Sequence, residues 1–180
     1  MPAFHAPASA CVPRQRGAVL VTSLLLLLVL TIIGVTVMQM SRMQERMAGN
    51  TRDVNLAFQG AEGAVRSGEG LVRAQVIRPV SCSTTGCVFW QPGTAGSTGR
   101  VEMESPTWWD TNGQTGEAMA NLKSQPTYAI EELGFVRTDG GVVAGQEPPD
   151  GRDFYQVSGR STGGSGLAEV VVQTTFTRKF

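Results

Sequence analysis

The side chains able to do chemistry are few, and their spacing suits little of it. Cys82 and Cys87 flank four residues in a Ser/Thr/Gly loop, SCSTTGC. In an oxidising compartment that pair reads as a short-loop disulfide, the alternative being two free thiols. A zinc site needs two further ligands, and the chain supplies none. The single histidine, His5, lies in a segment expected to be removed, so a His-based triad or a His-rich metal site is excluded. Glu131 and Glu132 are adjacent in a stretch that reads as strand, so they point to opposite faces and cannot serve as an acid/base pair. Glu147, Asp150 and Asp153 surround two prolines and Gly151 but lack the spacing of a calcium loop, so a solvated turn is expected. The run STGGSG, 161–166, has neither GK[ST] nor G-x-G-x-x-G and precedes a strand, so it is not a phosphate loop. The methionines from Met38 to Met47 read as adaptable packing rather than a copper ligand set. Hydroxyls are plentiful, but with no histidine to activate one a nucleophile–base pair is missing. The chain therefore reads as non-enzymatic, with no catalytic residues, no metal and no cofactor.

The elements that carry these residues are strongly segregated. Fifteen basic and fifteen acidic residues cancel in a chain of 180, which leaves no electrostatic footprint for nucleic acid. Charged residues make up 17%, below the roughly 25% usual in soluble chains. From Ala18 to Ser41 no residue is charged, and the run AVLVTSLLLLLVLTIIGVTVMQMS is bounded by Arg16 and Arg42. About 20 apolar residues span a bilayer core, so one transmembrane helix is expected over 18–41. The competing reading, a buried core helix, fits poorly, because a domain of this size rarely needs a helix apolar on all faces. Residues before the run are polar and Pro/Ala-rich, unlike a secretory signal. Cys11 has no apolar segment before it, which argues against a lipoprotein. Arg14 and Arg16 on one side and Arg42, Arg46 and Arg52 on the other leave orientation open. The Cys82/Cys87 pair favours a periplasmic C-terminal part, with Cys11 reduced on the cytoplasmic side.

The helical pattern continues past the membrane. Met40, Met43, Met47, Val54, Phe58, Ala61, Val65 and Val72 recur at steps of three and four, a helical stripe. Glu62 with Arg66 and Glu69 with Arg73 are i,i+4 pairs in the favoured order. Gly49, Gly60, Gly63, Gly68 and Gly70 weaken a helix by about 1 kcal/mol each, so this one needs packing partners. The helix is expected to run to about Val76 and to be ended by Pro79. Its seam from Val54 to Val72 is expected to form one side of a core, while the rest of the stripe needs another cover.

Residues 79–180 are rich in Gly and Pro and hold Trp90, Trp108 and Trp109, which reads as a β-rich domain with many turns. Strands are expected at 127–136, 153–159 and 167–177, the last two joined as a hairpin by the Gly-rich loop. In the last strand Val170, Val172, Thr174 and Phe176 share one face. Glu117–Lys123 reads as a short helical turn. Of Trp108 and Trp109, one is expected in the core and one at the surface, where it would be an interface anchor. The expected architecture is α+β: a long N-terminal helix, half of it transmembrane, packed on a C-terminal antiparallel sheet.

The stretch RQRGAVLVTSLLLLLVLTIIGVTVMQMSRMQERMAGNTRDVNLAFQGAEGAVRSGE resembles the N-terminus of PilX-type minor pilins of type IV pili, and FYQVSGRSTGGSGLAEVVVQTTF resembles the end of that family. The likeness covers about 14–75 and, more loosely, 127–180; it is not traced through residues 80–126. The resemblance implies a prepilin leader over 1–17, cut by a prepilin peptidase between Gly17 and Ala18, with N-methylation of Ala18. The helix then divides into a membrane half, 18–41, and a periplasmic half, 42–78, before the globular domain at 79–180. Most pilins carry Glu at mature position five, thought to meet a neighbour's N-terminal amine, whereas here Thr22 stands there. A subunit without that carboxylate is best tolerated where no subunit lies above it. The resemblance thus implies a place in the tip or initiation complex, with support of pilus assembly, twitching motility and surface adhesion. Implied partners are other minor pilins, the major pilin, the assembly platform, a large tip adhesin, the prepilin peptidase and the inner membrane. Implied locations are the inner membrane before assembly and the pilus tip after it. The alternatives are a type II secretion pseudopilin at a pseudopilus tip and a membrane-anchored adhesive or sensor module.

Overall fold

The fold was read from a computed structural model that describes residues 17–96, 99–137 and 151–180. His5, Cys11, Arg14, Arg16, Glu147 and Asp150, and with them most of the expected leader, lie outside the described residues. Helix α1 runs Ala18–Ala74. The described residues divide into two units, with the boundary between Met47 and Ala48. Described residues of the first unit are Gly17 and the part of α1 up to Met47, and all of them are exposed.

In the second unit α1 lies on a sheet of order β1-β3-β4-β5, with β2 also on β3. The long strands are β3 (Thr127–Arg137), β4 (Gly151–Thr162) and β5 (Glu169–Arg178). They pair antiparallel, Thr127 opposite Arg160 and Thr162 opposite Glu169. These are the three strands expected, the first two somewhat longer and the third shifted to begin at Glu169 and end at Arg178, and the Gly-rich turn joins the last two. The sheet is mixed rather than purely antiparallel, because β1 (Phe89–Trp90) runs parallel to β3 at Ile130 and Glu131. Strand β2 (Gln114–Thr115) pairs antiparallel with Tyr128 and Thr127.

The helix face of the sheet is closed by Ala64, Val65 and Val72 against Phe89, Tyr128, Ile130, Tyr155 and Val157, with Val172 and Phe176 alongside. Small residues set the spacing. A Cβ on Gly68 would stand 2.5 Å from Val157 Cγ1 and 3.0 Å from Tyr128, and one on Gly60 would meet Ser161, so these two glycines, which weaken the helix locally, let it approach the strands. The seam begins at Ala57, not Val54: Val54 and Phe58 are 42% and 49% exposed. At the close crossing the contact positions are Ala57, Gly60, Ala61 and Ala64, and the larger side chains of the stripe fall beside it.

The other face of the sheet carries a layer that the sequence pattern did not reveal. Cys87, Trp90, Ala95, Val101, Trp109 and Ala129 form a second core. Helix α2 (Pro106–Asn112) supplies Trp109 to it, starting at the N-cap Ser105 with Pro106 in the first turn, a standard helix-start arrangement. The expected helical turn at Glu117–Lys123 is absent: the segment is turn and bend, with Asn121 at φ 67°. Helix α1 ends at Ala74, before Val76. Arg178 Nη1 donates to Val72 O at 2.7 Å and to Arg73 O, and Pro79 disfavours helical backbone at Arg78.

Candidate assembly surface

In the first unit four hydroxyls of the apolar run are spent on their own backbone. Thr22 Oγ1 donates to Ala18 O at 3.1 Å or Val19 O at 3.0 Å. Ser23, Thr31 and Thr36 bond Leu20 O, Leu28 O and Ile32 O at 2.8–2.9 Å. Such i−3/i−4 bonding satisfies these four hydroxyl donors within the helix itself. The helix is long and apolar enough to cross a membrane, and its most apolar window is fully exposed. Gly17 sits in a bend just before Ala18 opens the helix. No acidic residue occupies the first turn.

In the second unit both expected ion pairs form, Glu62–Arg66 at 3.2 Å and Glu69–Arg73 at 3.7 Å. The Gly-rich β4–β5 loop docks on the helix: Ser165 N and Oγ donate to Asp53 Oδ1 and Oδ2 at 2.9 and 2.5 Å. Cys82 and Cys87 are disulfide-bonded, with Cα atoms 5.9 Å apart. The loop they close presents Cys82 to the β1 segment, where Cys82 N donates to Phe89 O at 2.9 Å and Gln91 N to Cys82 O at 3.0 Å.

Glu131 and Glu132 point apart as expected. Glu131 accepts from Gly93 N at 2.7 Å, while Glu132 meets Arg78 at 2.5 Å. Asp153 sits 3.0 Å from the same guanidinium, close enough for charge pairing but outside hydrogen-bonding geometry. Burial raises the Asp153 carboxyl above its ordinary range, and Arg78 counters that only in part. The neighbouring Tyr155 hydroxyl is pushed up to about 12, chiefly by burial. Asp153 is thus committed to an internal ion pair, not to a solvated turn. Trp109 is fully buried and Trp108 half-buried against Trp90, with ring centroids 5.4 Å apart. Among the described residues, no three His, Cys, Asp or Glu side chains are arranged to hold a metal.

Besides the second core with its helix α2, three contacts escaped the sequence reading: the Asp53 latch, the Arg178 cap, and the buried Arg160 that pairs with Glu169 at 2.6 Å. Only α2 carried a local signal, the Ser105-Pro106 start.

What these residues present is packing surface: an exposed apolar stretch of helix in the first unit and a two-core domain in the second. The PilX N-terminal family profile matches residues 16–66, and the profile of the type IV pilus assembly protein PilX C-terminal family matches residues 56–178. No curated protein and no solved structure matches the chain. The two profiles meet within α1 and between them cover the apolar helix and the head, so this chain belongs to the PilX family of type IV pilus assembly proteins.

Proposed function

We propose that this pilus assembly protein is a minor pilin of the tip or initiation complex, which primes fibre growth and so supports twitching motility and adhesion. In this reading residues 1–17 are a leader, cut between Gly17 and Ala18, and Ala18 is then N-methylated. Residues 18–41 lie in the inner membrane, and the rest of α1 with the head at 79–180 lies in the periplasm until assembly. Partners are the other minor pilins, the major pilin, the assembly platform and a large tip adhesin.

The observation that carries the reading is Thr22. Its side chain is a hydroxyl used by the backbone of its own turn, so this position offers no carboxylate to a neighbour's terminal amine. A buried carboxylate in lipid is tolerated only when paired. A helix without one has no such contact to make with a subunit above it, which favours the end of a fibre. Immunogold labelling of sheared pili tests this. Label confined to one end supports it, and uniform label along the shaft at major-pilin density overturns it. Deletion should abolish surface pili and twitching while leaving protein secretion intact; the reverse pattern would assign the chain to a secretion pseudopilus.

A further inference from the structure

The two edges of the sheet are unlike. On one side the edge is blunted: β1 and β2 are two residues long, and β3 beyond them breaks register between Glu132 and Gly134. Short strands and bulges are how proteins keep an edge from pairing with another chain. On the other side β5 keeps register with β4 over 10 residues, from Glu169 opposite Thr162 to Arg178 opposite Asp153, with no bulge. It holds neither Pro nor Lys and is dominated by Val and Thr, which suit a strand. Among the described residues β5 pairs with β4 alone, so its second row of N–H and C=O groups faces outward. Such a row specifies its occupant more closely than an apolar face does, because another extended backbone matches its spacing.

We propose that β5 is a docking edge that takes an extended segment of a different protein as an added strand. The side chains along β5 set the pattern of that segment. Val172 and Phe176 lie on the face toward α1 and pack on its core, and Thr174 donates there to Glu69 at 2.8 Å. Incoming residues on that face are therefore apolar or β-branched. Gln173, Thr175 and Thr177 share the other face, where Gln173 donates to Ser158 at 2.9 Å, so incoming residues there are polar. Glu169 stands at one end of β5 and Arg178 and Lys179 at the other. An antiparallel segment that begins acidic and ends basic complements both ends. The β5 of a second copy has that pattern, but direction excludes it. Antiparallel pairing of like strands needs a two-fold axis normal to the sheet. Since α1 lies flat on the sheet, that axis makes the two helices run in opposite directions. Chains anchored in one bilayer by their N-terminal runs leave it in the same direction. This choice of occupant rests on the membrane placement proposed above; the open edge does not.

The test uses the full chain in detergent and, as probe, an acetylated and amidated peptide of residues 169–179, EVVVQTTFTRK, which carries the required pattern. Laid antiparallel to β5 with Glu169 opposite Lys179, it sets Val172 beside Phe176 and Gln173 beside Thr175. Amide hydrogen exchange is followed residue by residue. Added peptide should slow exchange about tenfold at alternate β5 amides, those facing away from β4, and leave the amides bonded to β4 unchanged. A peptide of the same composition in scrambled order should slow none. Even slowing along the strand, equal slowing by the scrambled peptide, or no slowing overturns the docking edge. For the occupant, benzoylphenylalanine is installed in place of Thr175, an exposed residue of the edge, and intact cells are irradiated. An adduct mapped by mass spectrometry to an extended, alternating segment of another protein supports the proposal. An adduct between two copies of this chain, or no adduct, overturns a different protein as the occupant.

Discussion

At Gly159 the strand backbone runs so close to α1 that an added Cβ would meet Ala61 O, and would stand 2.8 Å from Val65 Cγ2. Helix backbone cannot yield as a side chain tip can. Gly159→Ala should therefore cost about 2 kcal/mol through overpacking, read as a lowered thermal midpoint by near-ultraviolet circular dichroism in detergent. Asp153 gives a pH signature. Its carboxyl is raised above 3.8 by burial, so between that value and its folded pKa the native chain holds a proton the unfolded chain has lost. Stability from this group falls as pH rises through that window. Asp153→Asn should remove that falling segment from the profile of thermal midpoint against pH, so the difference between parent and variant curves should change through the window. A difference that stays flat there would contradict the burial argument. At this scale the sequence spoke only where spacing settled the matter. Adjacent Glu131 and Glu132 had to diverge on a strand, and Thr22 had to bond its own turn. It was silent on Asp53–Ser165, a pairing across 112 positions that no local pattern encodes.

At the scale of elements, α1 and the three long strands were legible because their periodicities are those of regular structure. The second core was not. It is assembled from loops between 82 and 109, whose residues are brought together by the disulfide, the two-residue β1 and the capped turn α2. Breaking the bridge with Cys82→Ser/Cys87→Ser should cost about 2 kcal/mol and make the segment around β1 the first site of limited proteolysis. An unchanged cleavage pattern would mean that β1 is held by its pairing with β3 and by Phe89 and Trp90 without the bridge. The helix end was read two residues too long because its stop lies in β5, where Arg178 occupies the last carbonyls. Arg178→Ala should lower stability by about 1 kcal/mol and speed amide exchange in the last turn of α1, leaving the first turns unaffected.

At the scale of the whole molecule, the apolar helix and the head answer to different surroundings, and the two family profiles divide along similar lines. The stripe on α1 was legible as a stripe, but its division was not. Ala57 onward is covered by this chain's own sheet, while Val54, Phe58 and the methionine stretch stay exposed. Which residues a partner covers follows from how far the sheet reaches along the helix, a tertiary property. The central claim is that the chain is trimmed and then built into a fibre through that exposed helix. Intact mass of the protein recovered from sheared surface filaments tests it most directly. The account predicts a filament-bound species that begins at N-methylated Ala18 and retains the Cys82–Cys87 bond. A chain that keeps residues before Ala18 in cells with active prepilin peptidase, and that never leaves the membrane fraction for the filaments, would contradict it.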